Sequence, residues 1–233
     1  MPSPSNDSIF AQKELKLTLF SLLSTSASYG SLARFTDVHR LLPFNNQTIV
    51  GFGGDVSDMQ ALTRTLQALY TRENYSHSPS SPPEVHLTAH NLHIYLQKVL
   101  YNRRSKLDPL WNVILIAGFD GKDKPYLASV DLLGTSFTSP TLATGFGAHL
   151  AQPVLRRRVP DEKAAESLEK EEAVELVRQC MKVLFYRDAR SMDKYSIAVV
   201  TKEGGVELKE DEKLEQQSWS FAEGVKGYGT QTV

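Results

Sequence analysis

The chain has 233 residues, of which 41% are hydrophobic, so it can bury a full core in one domain, or in two at most. Its 26 basic and 27 acidic residues nearly balance. This argues against nucleic-acid binding, because such domains are usually markedly basic, and against attraction to anionic membrane surfaces. Cys180 is the only cysteine, which excludes an intrachain disulfide and a cysteine-based zinc site.

The first two predicted strands lie in the N-terminal quarter of the chain. Within residues 15–23, Leu15, Leu17 and Leu19 alternate with Lys16 and Thr18, which favours a half-buried strand. A signal-peptide core is disfavoured because Asp7 and Glu14 precede it. Residues 48–53 are a short apolar run that closes in glycines, and they predict a second strand.

Two helices follow. Asp55 or Ser57 can cap the first, whose apolar residues recur from Met59 onward at steps of three and four. Thr88 can cap the second. The Ser/Pro-rich stretch 76–83 between them predicts a surface loop within one domain.

The central strands are the most apolar part of the sequence. Residues 112–118 are almost continuously apolar, as expected for a strand covered on both faces. Asp120-Gly121 then supplies turn chemistry before a strand over 126–133, which predicts a hairpin. Residues 196–201 and 206–208 form another predicted pair around two glycines.

The second half of the chain also contains helical patterns. A third helix is predicted over 148–158, interrupted near Pro153. A fourth, over 161–186, has one apolar stripe beneath a charged face. The order is strand, two helices, hairpin, two helices, hairpin. It predicts an α+β fold with helices outside two stacked sheets, a four-layer αββα sandwich.

Two motifs that suggest ligands are weak. His86, His90 and His93 have helical spacing and could face one zinc ion, but no glutamate stands at the spacing of a catalytic His-Glu-x-x-His motif. Gly145 and Gly147 lack the wider fingerprint of a phosphate-binding loop. We therefore expect neither a metal nor a cofactor.

Several longer segments indicate a family. They are residues 27–35, 51–60, 101–112, 139–149, 185–191 and 219–231. Together they resemble the β-type subunits of the eukaryotic proteasome core particle, and the type-4 group most closely. The resemblance covers the chain from about residue 27 to the end. It implies the αββα fold of the N-terminal nucleophile hydrolases, with the first strands left unassigned.

The same resemblance divides the chain into three parts. Residues 1–26 are interpreted as a divergent N-terminal segment or propeptide, residues 27–218 as the β-type domain, and residues 219–233 as a C-terminal extension. In active relatives an N-terminal threonine is the nucleophile, its own amine is the base, and a nearby cation assists. No threonine here begins a recognisable mature strand. Thr25 is too close to Gly30 for two strands to intervene.

The remaining catalytic positions are also altered. Aligned on Gly30, the family's catalytic lysine corresponds to Arg40, which stays protonated and cannot relay a proton as lysine can. The serine beside the nucleophile corresponds to Phe146, whose ring removes the hydroxyl and crowds the pocket. Asp188 and Ser191 retain an Arg-Asp-Ala-x-Ser motif and are expected to hold a loop by hydrogen bonds. The chain is therefore expected not to be an enzyme by itself.

The resemblance implies a structural role in the heptameric β rings of the 20S core particle, in cytoplasm and nucleus, within ATP- and ubiquitin-dependent protein degradation. Expected partners are the neighbouring β subunits, the overlying α ring and the opposite β ring. The C-terminal extension would reach the opposite ring. In it Trp219, Phe221 and Tyr228 supply large anchors, and Gly229 lets the backbone enter a narrow groove.

Two alternatives remain open from the sequence. One is an active threonine protease subunit whose nucleophile the alignment misses. The other is a free-standing small-molecule-binding domain that uses the glycine-rich junctions at Gly51 and Gly145. A stable monomer would favour the second alternative, whereas a proteasome subunit should co-purify with partners of similar size.

Overall fold

The computed structural model describes residues 17–23, 27–29, 32–76, 87–215 and 217–224. Within these ranges the strands are β1 (Leu17–Leu23), β2 (Ala27–Tyr29), β3 (Leu32–Phe35), β4 (Leu41–Asn45), β5 (Thr48–Gly54), β6 (Asn112–Phe119), β7 (Pro125–Val130), β8 (Ser136–Thr138), β9 (Lys194–Thr201) and β10 (Gly205–Lys213). The helices are α1 (Val56–Ser76), α2 (Ala89–Ser105), α3 (Gly147–Leu150), α4 (Gln152–Arg158), α5 (Glu162–Glu166) and α6 (Lys170–Arg187), followed by a 3-10 turn at Ser220–Ala222.

Two antiparallel sheets form the centre of the molecule. The larger has the order β4-β5-β6-β7-β8, and the smaller has the order β1-β9-β10. Alternate residues of β5 and β6 point to opposite faces, as the two-residue period of a strand requires. Ile49 and Ala117 are fully buried on the face that meets Ala198 and Val200 of the smaller sheet. The predicted pair of stacked sheets is therefore confirmed.

Helices α1 and α2 cover the other face of the larger sheet. Val50 and Ile116, one residue along from the inner-face positions, pack there against Leu62, Leu66 and Leu96. All five of these side chains are buried, at 2% exposure or less. The apolar residues that recur at helical spacing in the sequence are thus the residues that these helices bury.

The smaller sheet is covered by α4 and α6. Cys180, Met181 and Leu184 lie on the predicted stripe of α6 and pack against Tyr195 and Ile197 of β9. This completes the fourth layer and confirms the α+β, αββα prediction. Among the described helices, not one has an apolar stretch of the length that a bilayer crossing needs.

The long helix predicted over 161–186 is wrong, because the chain breaks it in two. Asp161 caps α5 by accepting the N–H of Ala164, and the Ser167 hydroxyl donates to the Ala164 carbonyl at the end of that helix. Such local side-chain bonds compete with helix continuation. The stripe is consequently confined to α6, which begins at Lys170.

The predicted interruption near Pro153 is confirmed, with the break at Ala151. Pro153 lies in the first turn of α4, where its missing N–H costs no helical bond. The strand predicted over 126–133 is too long, since β7 ends at Val130. The Asp131 carboxylate accepts backbone N–H groups of the next turn and ends the strand there.

Residues 27–35, which were expected to form a loop, contain two short paired strands. β2 and β3 pair within this segment, with Ala27 opposite Phe35 and Ser28 opposite Ala33, so their backbone groups satisfy one another. The strand predicted at 15–23 is confirmed over residues 17–23 as β1, which pairs along its whole length with β9, while residues 15 and 16 lie outside the described ranges. Thr25 and Gly30 lie outside the described residues.

Candidate functional site

Arg40 lies between β3 and β4, and its side chain holds the end of β5. Its guanidinium Nη1 donates to the carbonyl of Gly54 at 3.0 Å, and its own carbonyl accepts the N–H of Phe52. Burial lowers the pKa of the Arg40 guanidinium, and the carboxylate of Asp55 opposes that shift. The group remains a fixed cation that donates hydrogen bonds, so it cannot shuttle a proton.

The junction that Arg40 braces is a tight backbone turn. Gly54 has φ +99°, and a Cβ placed there would lie 2.2 Å from the carbonyl oxygen of Trp111. Asn112 donates to the carbonyls of Gly53 and Asp55, both at 2.9 Å. Close backbone approach, rather than ligand binding, therefore explains the glycines that end β5.

The same junction begins α1. Asp55 accepts hydrogen bonds from the Ser57 hydroxyl and the Asp58 N–H, and these bonds lower the pKa of its carboxyl group. The predicted cap of the first helix is confirmed at Asp55. Gly51 lies inside β5, paired with Leu115 of β6, so it belongs to the sheet and not to a ligand loop.

Phe146 lies immediately before α3. Its ring is 61% exposed, and the residue makes no side-chain cap. Gly145 before it has φ +58°, a conformation that favours glycine. Gln152 holds the preceding segment by donating to the carbonyl and hydroxyl of Thr141 at 2.9 and 3.1 Å.

Asp188 and Ser191 shape the turn that follows α6. The Asp188 carboxylate accepts the N–H of Arg190 at 3.0 Å. The Ser191 hydroxyl lies 2.7 Å from the Asp188 carbonyl oxygen and 3.1 Å from that of Phe185. Both side chains thus make local bonds within residues 185–191. The four positions lie on three separate segments: Arg40 before β4, Phe146 before α3, and Asp188 with Ser191 in the turn after α6.

The single cysteine is a poor nucleophile. Cys180 is buried in α6, with its sulfur 3.9 Å from the Ala151 carbonyl oxygen. Burial raises the pKa of its thiol to about 11. Because the thiolate is the reactive form, the group is almost entirely unreactive at neutral pH.

Two of the histidines considered as zinc ligands contact a tyrosine of the neighbouring strand. His90 and His93 of α2 both place Nδ1 on the hydroxyl of Tyr126, at 3.2 and 2.7 Å, while His86 lies outside the described residues. Across the part of the chain that the structure describes, no three metal-ligating side chains come together. The pair therefore joins α2 to β7.

An aromatic cluster at the C-terminal end of α6 is the feature that sequence reasoning missed. The ring of Tyr186 meets Trp219 edge-on at 5.1 Å and Phe221 at 5.4 Å. Trp219 and Phe221 stack at 5.7 Å with 27° between their planes, and Phe185 completes the group. Pairs of this kind add stability beyond the area that they bury.

A pair of hydrogen bonds reinforces the cluster. The Tyr186 hydroxyl accepts the N–H of Ser218 at 2.8 Å and donates to the Ser218 carbonyl at 3.0 Å. The first part of the C-terminal extension is thus attached to its own chain. Tyr228 and Gly229 lie outside the described residues. The aromatic residues at 185–186 and at 219 and 221 are visible in the sequence, but their contact with one another is not.

Comparison with known proteins decides the family. A family model described as proteasome subunit matches residues 21–200. The chain belongs to the proteasome subunit family. The recognition made from the sequence motifs is therefore confirmed, and the αββα sandwich agrees with it.

Relatives within the proteasome family place the chain among the β-type subunits. It is 49% identical over 209 residues to a probable proteasome subunit beta type-7 of Schizosaccharomyces pombe, covering 89% of this chain and 76% of that protein. It is 45% identical to proteasome subunit beta type-7 of Saccharomyces cerevisiae, with 88% and 77% covered. It is 43% identical to proteasome subunit beta type-4 of Xenopus laevis, with 86% and 78% covered. Membership of this family implies assembly with other proteasome subunits.

Proposed function

We propose that this chain is a non-catalytic, structural β subunit of the 20S proteasome core particle, which supports β-ring assembly and protein degradation by the whole complex. The observation that carries the proposal is the chemistry at the two altered positions. Arg40 is tied to the Gly54 carbonyl, and Phe146 presents a mostly exposed ring. Neither side chain can accept a proton from a nucleophile at neutral pH.

The partners in this proposal are the neighbouring β subunits, the overlying α ring and the opposite β ring. Residues 27–218 form the β-type domain, and residues 1–26 are a divergent N-terminal segment or propeptide. The extension 219–233, with Tyr228 and Gly229 in it, reaches the opposite ring. The aromatic cluster supports this arrangement, because it fixes the start of the extension on α6. The particle acts in cytoplasm and nucleus.

Assembly is tested by purifying the chain through an affinity tag and weighing the product by native mass spectrometry. The proposal expects a particle of the mass of two α rings and two β rings, with this chain present twice. A tagged chain that elutes as a stable monomer, without subunits of similar size, would overturn the proposal.

A further inference from the structure

A groove of about 490 Å³ lies between α6 and the segment around the 3-10 turn. We call it the tail groove. Its lining comes from both segments: Lys182, Val183, Tyr186, Arg187, Ser218 and Phe221. The hydrogen bonds between Tyr186 and Ser218 and the ring contact between Tyr186 and Phe221 hold its two sides together. The groove is therefore built into the fold of this chain.

Its wall leaves large aromatic area uncovered. Phe221 in the wall is 53% exposed, and Trp219, which stacks on Phe221 outside the groove lining, is 55% exposed. Both rings are held by Tyr186. Fixed aromatic side chains lose little conformational entropy on binding, and tyrosine, tryptophan and arginine dominate the energetics of protein interfaces. The composition and the rigidity of this wall are those of an interface.

The rim of the tail groove is positively charged. Lys182 and Arg187 are both exposed, and neither forms an ion pair with any described residue. The nearby acids do not line the groove: Asp188 accepts the N–H of Arg190, and Glu223 follows the 3-10 turn. Among the described residues, the groove thus presents two cations without an acidic partner beside an aromatic wall.

We propose that the tail groove binds an acidic segment of another proteasome subunit. Carboxylates of that segment pair with Lys182 and Arg187, and an apolar side chain next to them packs against Tyr186 and Phe221. The chain's own residues 225–233 are a poor occupant, because they contain Lys226 and no aspartate or glutamate. The inference rests on the proposed function, which supplies the neighbouring subunit. It goes further by naming the surface and the chemistry that the surface recognises.

Zero-length carbodiimide cross-linking of the intact, purified particle tests the contact directly, because it joins a lysine amine only to a carboxylate that touches it. The expected product is Lys182 linked to an aspartate or glutamate of a different subunit, identified by mass spectrometry of the digested particle. The matched control is Lys182→Arg, which keeps the charge and removes the reactive amine. The link should disappear in this variant while the particle stays intact.

A second variant measures the energetic effect. Lys182→Glu with Arg187→Glu should raise the fraction of dissociated particles roughly tenfold at low salt, the change expected when two ion pairs become repulsive. Arg72→Glu with Lys98→Glu makes the same change of charge on exposed residues of α1 and α2 and should have little effect.

The outcomes separate the two proposals. If the chain co-purifies with proteasome subunits but Lys182 links only to carboxylates of its own chain, the tail groove proposal is wrong and the proposed function stands. The same holds if Lys182 forms no link while other lysines in the particle do. If the chain does not co-purify at all, both proposals are wrong.

Discussion

His93 is a buried titratable group that the fold keeps neutral. Its side chain is 4% exposed, Nδ1 lies 2.7 Å from the Tyr126 hydroxyl, and Nε2 has no hydrogen-bond partner among the described residues. Burial lowers the pKa of this imidazole from 6.5, and the neighbouring His90 lowers it further. A backbone hydrogen bond to Ser129 favours the protonated form, but burial and His90 outweigh it, so a proton on this imidazole is costly.

The first prediction is that acid loosens the contact between α2 and β7. The folded pKa of His93 lies below its unfolded value of 6.5, so the unfolded chain binds protons more readily in acid. The stability that the neutral His93 imidazole contributes is therefore fully present above pH 6.5 and is lost as the pH falls toward the folded pKa. Hydrogen exchange of residues 89–105 in the assembled particle, corrected for intrinsic rate, should show more opening at pH 5.5 than at pH 7.5. His93→Gln should reduce that difference, and an unchanged difference would contradict the assignment to His93.

The second prediction concerns the glycine that ends β5. Gly54→Ala should cost about 2 kcal/mol or more of unfolding free energy, because φ +99° is strained for alanine and the new Cβ would meet the backbone of Trp111. Gly224→Ala is the matched control, since nothing lies within 4 Å of a Cβ at that position. Thermal denaturation of both variants compares them, and equal melting temperatures would refute the steric account.

At the scale of elements, the long apolar patterns could be predicted from the sequence and the breaks could not. β5, β6 and β9 and the helices α1 and α2 bury their apolar residues at the period of their own geometry, so the sequence alone indicates them. At the break before α6, the Ser167 hydroxyl donates back to the Ala164 carbonyl. The hydrophobic periodicity of the sequence does not predict a side-chain bond of this kind.

The aromatic cluster shows a second limit of the sequence. Tyr186 and Ser218 are 32 residues apart, and only the fold brings them into contact. Trp219 and Phe221 could be predicted as anchors from their size, but not the surface of α6 on which they lie. Arg40 and Phe146 could be singled out because a family resemblance aligns them, whereas their contacts required coordinates.

The third prediction is that one hydroxyl holds the start of the extension. Tyr186→Phe keeps the ring contacts and removes both bonds to Ser218, so local protection of residues 217–224 should fall by about 1 kcal/mol. Hydrogen exchange of that segment measures the change. Tyr75→Phe on α1, where the ring is 86% exposed, is the control and should leave protection unchanged. Equal protection in both variants would show that the hydroxyl contributes nothing.

For the whole molecule, the proposed function gives the sandwich and the extension separate tasks. The two sheets and their helices form a closed core, while the tail groove and the exposed aromatic rings lie at the end of α6. Changes in the extension should therefore affect joining between subunits more than folding of the chain. Changes in the core should affect folding of the chain more than joining between subunits.

The fourth prediction is that deletion of residues 224–233 weakens the joining of two β rings. The cluster around Tyr186 would remain, so the shortened chain should still fold and enter a half-particle. Native gels of particles purified through this chain should show half-particles accumulating relative to the full-length chain. Normal dimerisation of half-particles without residues 224–233 would rule out the inter-ring role of this segment.

The proposed absence of catalysis by this chain is tested most directly by intact mass. The assembled particle is treated with a covalent, threonine-directed inhibitor, and every subunit is then weighed separately. We predict that other β subunits gain the mass of the inhibitor while this chain, with Arg40 and Phe146 at the altered positions, keeps its own mass. A mass increase of one inhibitor on this chain would contradict the account.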